Sequence, residues 1–317
     1  DLGQIQLVMK LNVIKSEELV EEIAPKISLF SNSQNKVSTA DFSANDPFHI
    51  DVSKVSQTIF APDPTGGGKQ TKWFYERSRG SYQTERNMQG TPAKIRDWTH
   101  IHPRNQLITK TDLAKAEMTY AGRPHDVSMG AQGCFARFTV ALRENQGTAT
   151  EIRADEKYFK QLVAKRILFQ QADKVVASQK IPGYKANITT YSIAYYLYKI
   201  QYKMDLVEIW NQQNISDDLR EVIGEIAHKI REYITEDPNI NPTVLCKNRK
   251  CWDGIKSKKW KFSDFTTNHF NRVRGEKLEN KFEEDIEAEK KKAKKVQDET
   301  SKYISASNRE DKKKLAE

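Results

Sequence analysis

A chain of 317 residues, 37% hydrophobic and 30% charged, is long enough for one to three domains with a real core, and it sits on the polar side for a globular protein. Lys and Arg outnumber Asp and Glu by 52 to 43, giving a formal net charge of +9 that favours a polyanionic partner without requiring one. Three cysteines are too few, and odd in number, for a disulfide framework, and the apolar runs fall short of a membrane span, so the expected setting is a reducing cytoplasm away from any membrane.

Residues 4–14 alternate apolar and polar side chains from the outset, as a strand does. A strand with no neighbour close in sequence suggests sheet partners upstream, and the expectation is the C-terminal part of a longer protein. Ser16 reads as an N-cap, with Glu17 and Glu18 in the first turn and Val20, Ile23, Ile27 and Phe30 at helical spacing, interrupted by Pro25. Ser38 and Asp41 resemble a capping box for a short helix that Asn45-Asp46-Pro47 stops. Phe48, Val52, Val55 and Ile59 suggest a further helix. Pro62 to Gly68 reads as a flexible loop, and Thr71–Glu76 as a strand.

Thr109 and Asp112 resemble another cap, ahead of a helix from Leu113 to Tyr120. Helical patterns follow over 132–142, 154–172 and 187–202, the last with Tyr191, Tyr195, Tyr198 and Tyr202 on one stripe that suits packing. Ser216 caps the clearest helix, whose apolar stripe runs from Leu219 to Ile234 and stops at Asp237-Pro238. Residues 239–270 are irregular, basic and aromatic. From Glu276 the chain is dense in Lys and Glu, a solvated helix or a disordered tail.

The fold class that emerges is α+β and mostly helical. Its expected parts are an incomplete α/β portion over 1–150, a helical domain over 151–245, a basic aromatic linker over 246–275 and a charged tail over 276–317.

Candidate chemistry divides into weak and stronger signals. Gly66-Gly67-Gly68-Lys69 fails as a phosphate loop: Asp63 stands where the first glycine belongs, Gln70 replaces Ser or Thr, and a strand follows instead of a helix. Cys246-x4-Cys251 with His269 lacks the second close pair of a zinc site, so reduced, partly buried thiols are the better reading. No cofactor or metal is implied. Asp155-Glu156-Lys157 and Glu289-Lys290-Lys291 lack the strand context of a metal-dependent nuclease, and no catalytic centre stands out.

The mixture around residues 30–82 is different. Asn32, Gln34 and Asn35 offer amides that can hydrogen-bond base edges or phosphates. Lys72, Arg77 and Arg79 offer phosphate contacts, and Tyr75 and Tyr82 offer stacking or hydroxyl contacts. Strand alternation would put Trp73, Tyr75, Arg77 and Arg79 on one face and Phe74 and Glu76 on the other; Phe74 inward and the arginines outward would need no ligand, but two arginines and a tyrosine on one exposed face near the amide-rich loop favour an anion site. A second basic–aromatic stretch, 247–265, includes Lys258, Lys259 and Trp260. It suits a single strand or phosphate backbone, or equally a surface loop anchored by its aromatics.

Several of these segments also resemble one family. Ser31–Ser38, Ser43–Asp46, Trp73–Gly80, Leu107–Lys115 and Pro124–Gln132, in that order, are similar to blocks of the AIPR (abortive infection phage resistance) proteins, with the likeness running from about Gln4 past residue 200. The resemblance implies bacterial antiphage defence, often beside restriction–modification genes. It also implies a longer protein, in many members with an upstream segment that looks like a restriction-endonuclease nuclease domain and an Asn-Gly-Cys-Gln-Thr-like motif; neither occurs in this chain. The Asn32, Gln34 and Asn35 block is more weakly similar to DNA-modification-associated proteins with a ParB-like fold, at the level of fold analogy. The expected function is binding of DNA or RNA, or sensing of a phage target, within an antiphage protein. The alternatives are a nuclease whose active site needs the upstream region, and an interaction module for a partner, its own N-terminal region or a second copy.

Overall fold

The computed structural model describes residues 19, 20, 23, 43–68, 70–147, 152–181 and 183–275. The amides Asn32, Gln34 and Asn35, the strand expected at 4–14 and the charged tail lie outside the described residues. The chain divides into two compact units, one of residues 1–195 with 205–259 and one of 196–204 with 260–317.

In the first unit, Ser43–Asn45 forms a 3-10 turn, and helix α1 (Pro47–Thr58) starts directly after it. The Asp46 carboxylate accepts from the Phe48 amide at 3.0 Å, and Pro47 occupies the first turn, where its missing N–H costs nothing. Strand β1 (Phe74–Glu76) follows, then α2 (Ser81–Asn87) and α3 (Pro92–Ile101). Strand β2 (Leu107–Thr109) runs parallel to β1, pairing Phe74 with Leu107, Tyr75 with Ile108 and Glu76 with Thr109. Among the described residues these two strands form the sheet.

The sheet corrects one expectation. Alternation along β1 predicts one buried face, yet Trp73, Phe74 and Tyr75 are buried in succession. Parallel sheets are covered on both faces, and here α1 lies against β1 while Tyr82 and Trp98, from α2 and α3, pack on the Phe74 ring. Phe74 does point inward, but so do its neighbours.

Helix α4 (Lys110–Tyr120) leaves β2 without a loop, through the capping box that Thr109 and Asp112 predict. Then come α5 (Pro124–Val127) and α6 (Gly130–Glu144). The long α7 (Glu156–Ser178) packs against α4, against α9 (Leu206–Gln212) and against α10 (Asp217–Ile234). With neighbours on several sides it buries Phe159, Leu162, Val163, Ile167, Leu168 and Ala172. On α10 the stripe from Leu219 to Ile234 is buried as its spacing predicts, and the Ser216 hydroxyl accepts from the Leu219 amide at 3.3 Å. Gly224 lets α10 approach α7: a side chain there would run into the Gln179 amide.

Helix α8 (Lys185–Lys199) ends sooner than the tyrosine stripe suggests, because Gln201 and Tyr202 take left-handed backbone. Tyr191 and Tyr195 are buried on it, whereas Tyr198 and Tyr202 are exposed. The irregular stretch after residue 239 is helical: α11 (Pro242–Leu245), α12 (Arg249–Ser257) and α13 (264–275). Within the second unit, Tyr196 meets His269 Nε2 at 3.0 Å, and Phe262 stands edge-on to Phe270. The three cysteines are free and buried, and among the described residues no group of three His, Cys, Asp or Glu side chains could hold a metal.

Candidate functional site

Three of the sequence blocks converge at the carboxyl edge of the sheet. The register ends with Glu76 opposite Thr109, so Arg77 and Lys110 leave β1 and β2 side by side. The carboxyl edge of parallel strands is where open α/β sheets place their ligands. Past the strand ends Arg77 lies in a bend and Lys110 opens a helix, and both cations act on the face of the sheet that carries the Tyr75 hydroxyl.

Helix α1 delivers His49 to that face. The ring is buried, stacks on Phe135 at 5.7 Å and meets Phe48 edge-on at 5.2 Å. Its Nδ1 is joined to the Tyr75 hydroxyl at 2.7 Å. Burial, helped by the Lys110 and Arg77 cations, pushes the imidazole down to about 3. Burial, with the Asp46 carboxylate next, pushes the Tyr75 phenol well above its ordinary value. Both groups are therefore neutral at physiological pH, and the pair orders the site without adding charge.

Arg77 reaches back to the Ser43–Asn45 turn. Its guanidinium donates to the Ala44 carbonyl and, at 3.4 Å, to the Asn45 side-chain oxygen. Both acceptors are neutral, so the cation is held without being cancelled. The turn after it closes with the Ser81 amide donating to the Ser78 carbonyl, and Gly80 takes φ +81°, a conformation that side chains with a Cβ rarely adopt. Arg79 in this turn is exposed. On the β2 side, Lys110 is buried, the Thr109 amide donates to Asp112 Oδ2 at 3.1 Å, and Asp112 Oδ1 lies 3.3 Å from Arg166 of α7.

The other residues singled out by sequence fall into separate surroundings. Lys72 donates to the Gln57 carbonyl at 2.6 Å and lies over the Phe60 ring. Tyr82 donates to the His102 carbonyl at 2.6 Å and packs against Phe74 and Trp98. Tyr75 and Tyr82 are both buried, so neither ring offers a free face for stacking. Lys258 pairs with Glu236 at 3.2 Å over the Tyr233 ring, and Lys259 is exposed. In the second unit Trp260 stands edge-on to Phe262. Sequence reasoning did not single out His49 or Lys110 as site residues. Both lie in segments that carry other signals, Phe48–Ile59 its helical spacing and Leu107–Lys115 its family likeness, but burial and tertiary pairing leave no mark in local sequence.

Fold and edge together define a mostly helical α+β protein whose small parallel sheet carries a basic, hydrogen-bonded rim. The family model described as AIPR protein matches residues 1–238, and the chain belongs to the AIPR family. Membership implies a role in abortive infection against phage. No match was found among curated proteins or among solved structures. No helix among the described residues is long and apolar enough to cross a membrane.

Proposed function

We propose that this protein serves abortive infection by engaging nucleic acid at the carboxyl edge of its sheet. Arg79 contacts phosphate directly, while Arg77 and Lys110 supply a positive field held in place by the fold. Tyr75 and Tyr82 act as the scaffold of this edge instead of stacking on bases. Lys258 and Lys259 offer further basic contacts in the first unit, Trp260 offers an aromatic one in the second, and Lys72 shapes the entry to β1. The amides of Asn32, Gln34 and Asn35 are assigned to base or phosphate hydrogen bonds.

The observation that carries this reading is the register, which sends Arg77 and Lys110 off adjacent strands beside the exposed Arg79. The test is binding of labelled single- and double-stranded DNA and RNA at about 50 and 200 mM salt, a range over which phosphate-dominated affinity falls steeply. Saturable binding is expected, and Arg79→Gln should lower the salt slope by about 0.9 for one lost phosphate contact. Absence of binding at low salt, or an Arg79→Gln variant with unchanged affinity and slope, would remove the assignment and favour an interaction module.

A further inference from the structure

Within the first unit, α4, α7, the 3-10 turn Arg104–Gln106 and the end of α9 enclose a cleft of about 450 Å³. Lys115 and Arg166 line it, and Lys174 is exposed at its rim. The carboxylate in its wall, Asp173, is turned to Lys185 at 2.6 Å and accepts from the Thr189 hydroxyl at 3.3 Å. Arg166 uses Nη1 on Asp112, while its Nε is buried with no partner among the described residues. The Lys115 ammonium sits 4.8 Å over the Phe169 ring, and among the described residues no carboxylate comes within ion-pair range of it. Burial holds its pKa below the ordinary lysine value, against the opposing pull of Asp112 and Asp173. The Gln106 side chain also lines the cleft, and its Oε1 is buried without a partner among the described residues.

These groups define a ligand by what they lack. A cation withdrawn from water without a counter-ion is costly, so the cleft favours an anion. An ammonium beside a part-exposed guanidinium suits phosphate. A side-chain amide in the lining suits the donor and acceptor edge of a base. The volume lies within the ~300–1,000 Å³ typical of small-molecule sites. It suits one nucleotide better than a polymer strand.

We propose that this cleft binds a free mononucleotide, its phosphate held by Lys115 and Arg166 and the polar edge of its base by Gln106. This site is separate from the sheet edge, and its test does not depend on nucleic-acid binding there.

The test is isothermal titration of the purified protein with AMP, adenosine and inorganic phosphate. AMP is expected to bind saturably and about 10-fold or more tighter than either adenosine or phosphate, the scale of one charge-assisted contact. Lys115→Met keeps the stem over Phe169 and removes the charge, and should weaken AMP by a similar factor. Lys94→Met, on the exposed side of α3, should leave AMP affinity unchanged. If Lys115→Met does not fold, Gln106→Glu sets a negative charge in the cleft and must weaken AMP instead. No saturation by AMP at millimolar concentration would overturn the proposal. So would equal affinity for AMP and adenosine, phosphate binding as tightly as AMP, or wild-type affinity in the folded variant.

Discussion

His49 offers the sharpest test of the buried edge, through the pH dependence of stability. In the folded chain its imidazole is pushed down to about 3, whereas an exposed imidazole in the unfolded chain titrates near about 6.5. Because the folded value is the lower one, the unfolded chain takes up the proton first. The contribution is therefore fully present above pH ~6.5 and is lost as the pH falls toward about 3. Across that window one proton separates the two states, a slope of about 1.4 kcal/mol per pH unit. Between pH ~7.5 and ~4.5 the loss from His49 alone sums to roughly 2–3 kcal/mol. Asn at this position keeps an acceptor near the place of Nδ1 and does not titrate. Urea unfolding of wild type and His49→Asn at several pH values isolates the effect, since carboxylates titrate in both proteins and cancel in the difference. Wild type should lose roughly 2–3 kcal/mol more than the variant over that range. Parallel stability curves would refute the claim that His49 is held neutral by burial.

Three further outcomes follow from local geometry. Thr109→Ala removes the capping box of α4 and should lower stability by about 1 kcal/mol, with Thr109→Ser restoring most of it, both read as shifts in urea midpoint. Lys165→Met strands the largely buried Glu117 carboxylate, which Lys165 meets at 2.8 Å, and should cost roughly 3 kcal/mol; replacing Glu117 by Gln in the same protein should recover part of that loss. The three thiols are buried, and burial pushes Cys134 up to about 12, so a thiol reagent at pH ~8 should label the native protein slowly and the urea-unfolded protein fast. Rapid labelling of all three in the native state would contradict the packing around Cys134, Cys246 and Cys251.

What the sequence made legible was local. The pair Thr109 and Asp112 announces its capping box three residues apart, and the stripe from Leu219 to Ile234 announces α10 by its period. Strand β2 is three residues long and runs straight into a helix, leaving no room for an alternation to register. Helices α2 and α3 start on polar or mixed residues, and α3 buries none of its side chains fully, so neither has a clear apolar period. The site was legible in part for the same reason. Arg77 and Arg79 stand out by type, but the Arg77 link to the Ala44 carbonyl and the His49 link to Tyr75 join residues 33 and 26 positions apart. Whether a tyrosine stacks on a ligand or fills a core is decided by such distant partners. Tyr75 and Tyr82 fill the core.

The difference between a structural and a functional charge is likewise a matter of partners. Lys165 is buried against Glu117, so its charge is cancelled within the fold. Arg77 is held by a carbonyl and an amide oxygen, and Lys115 by the face of a ring, neutral partners that fix a side chain while leaving its charge in place. A chain that needed Lys115 only for packing would gain by giving it a carboxylate or by using an apolar side chain of similar size, because a charge withdrawn from water without a counter-ion is costly. That cost becomes intelligible if a free nucleotide completes the cleft between α4 and α7, and the half-buried Arg77 and exposed Arg79 suit a polymer phosphate at the sheet edge. On this argument, polymer affinity should follow Arg77 and Arg79 and be indifferent to Lys115, whereas AMP affinity should follow Lys115 and be indifferent to Arg79.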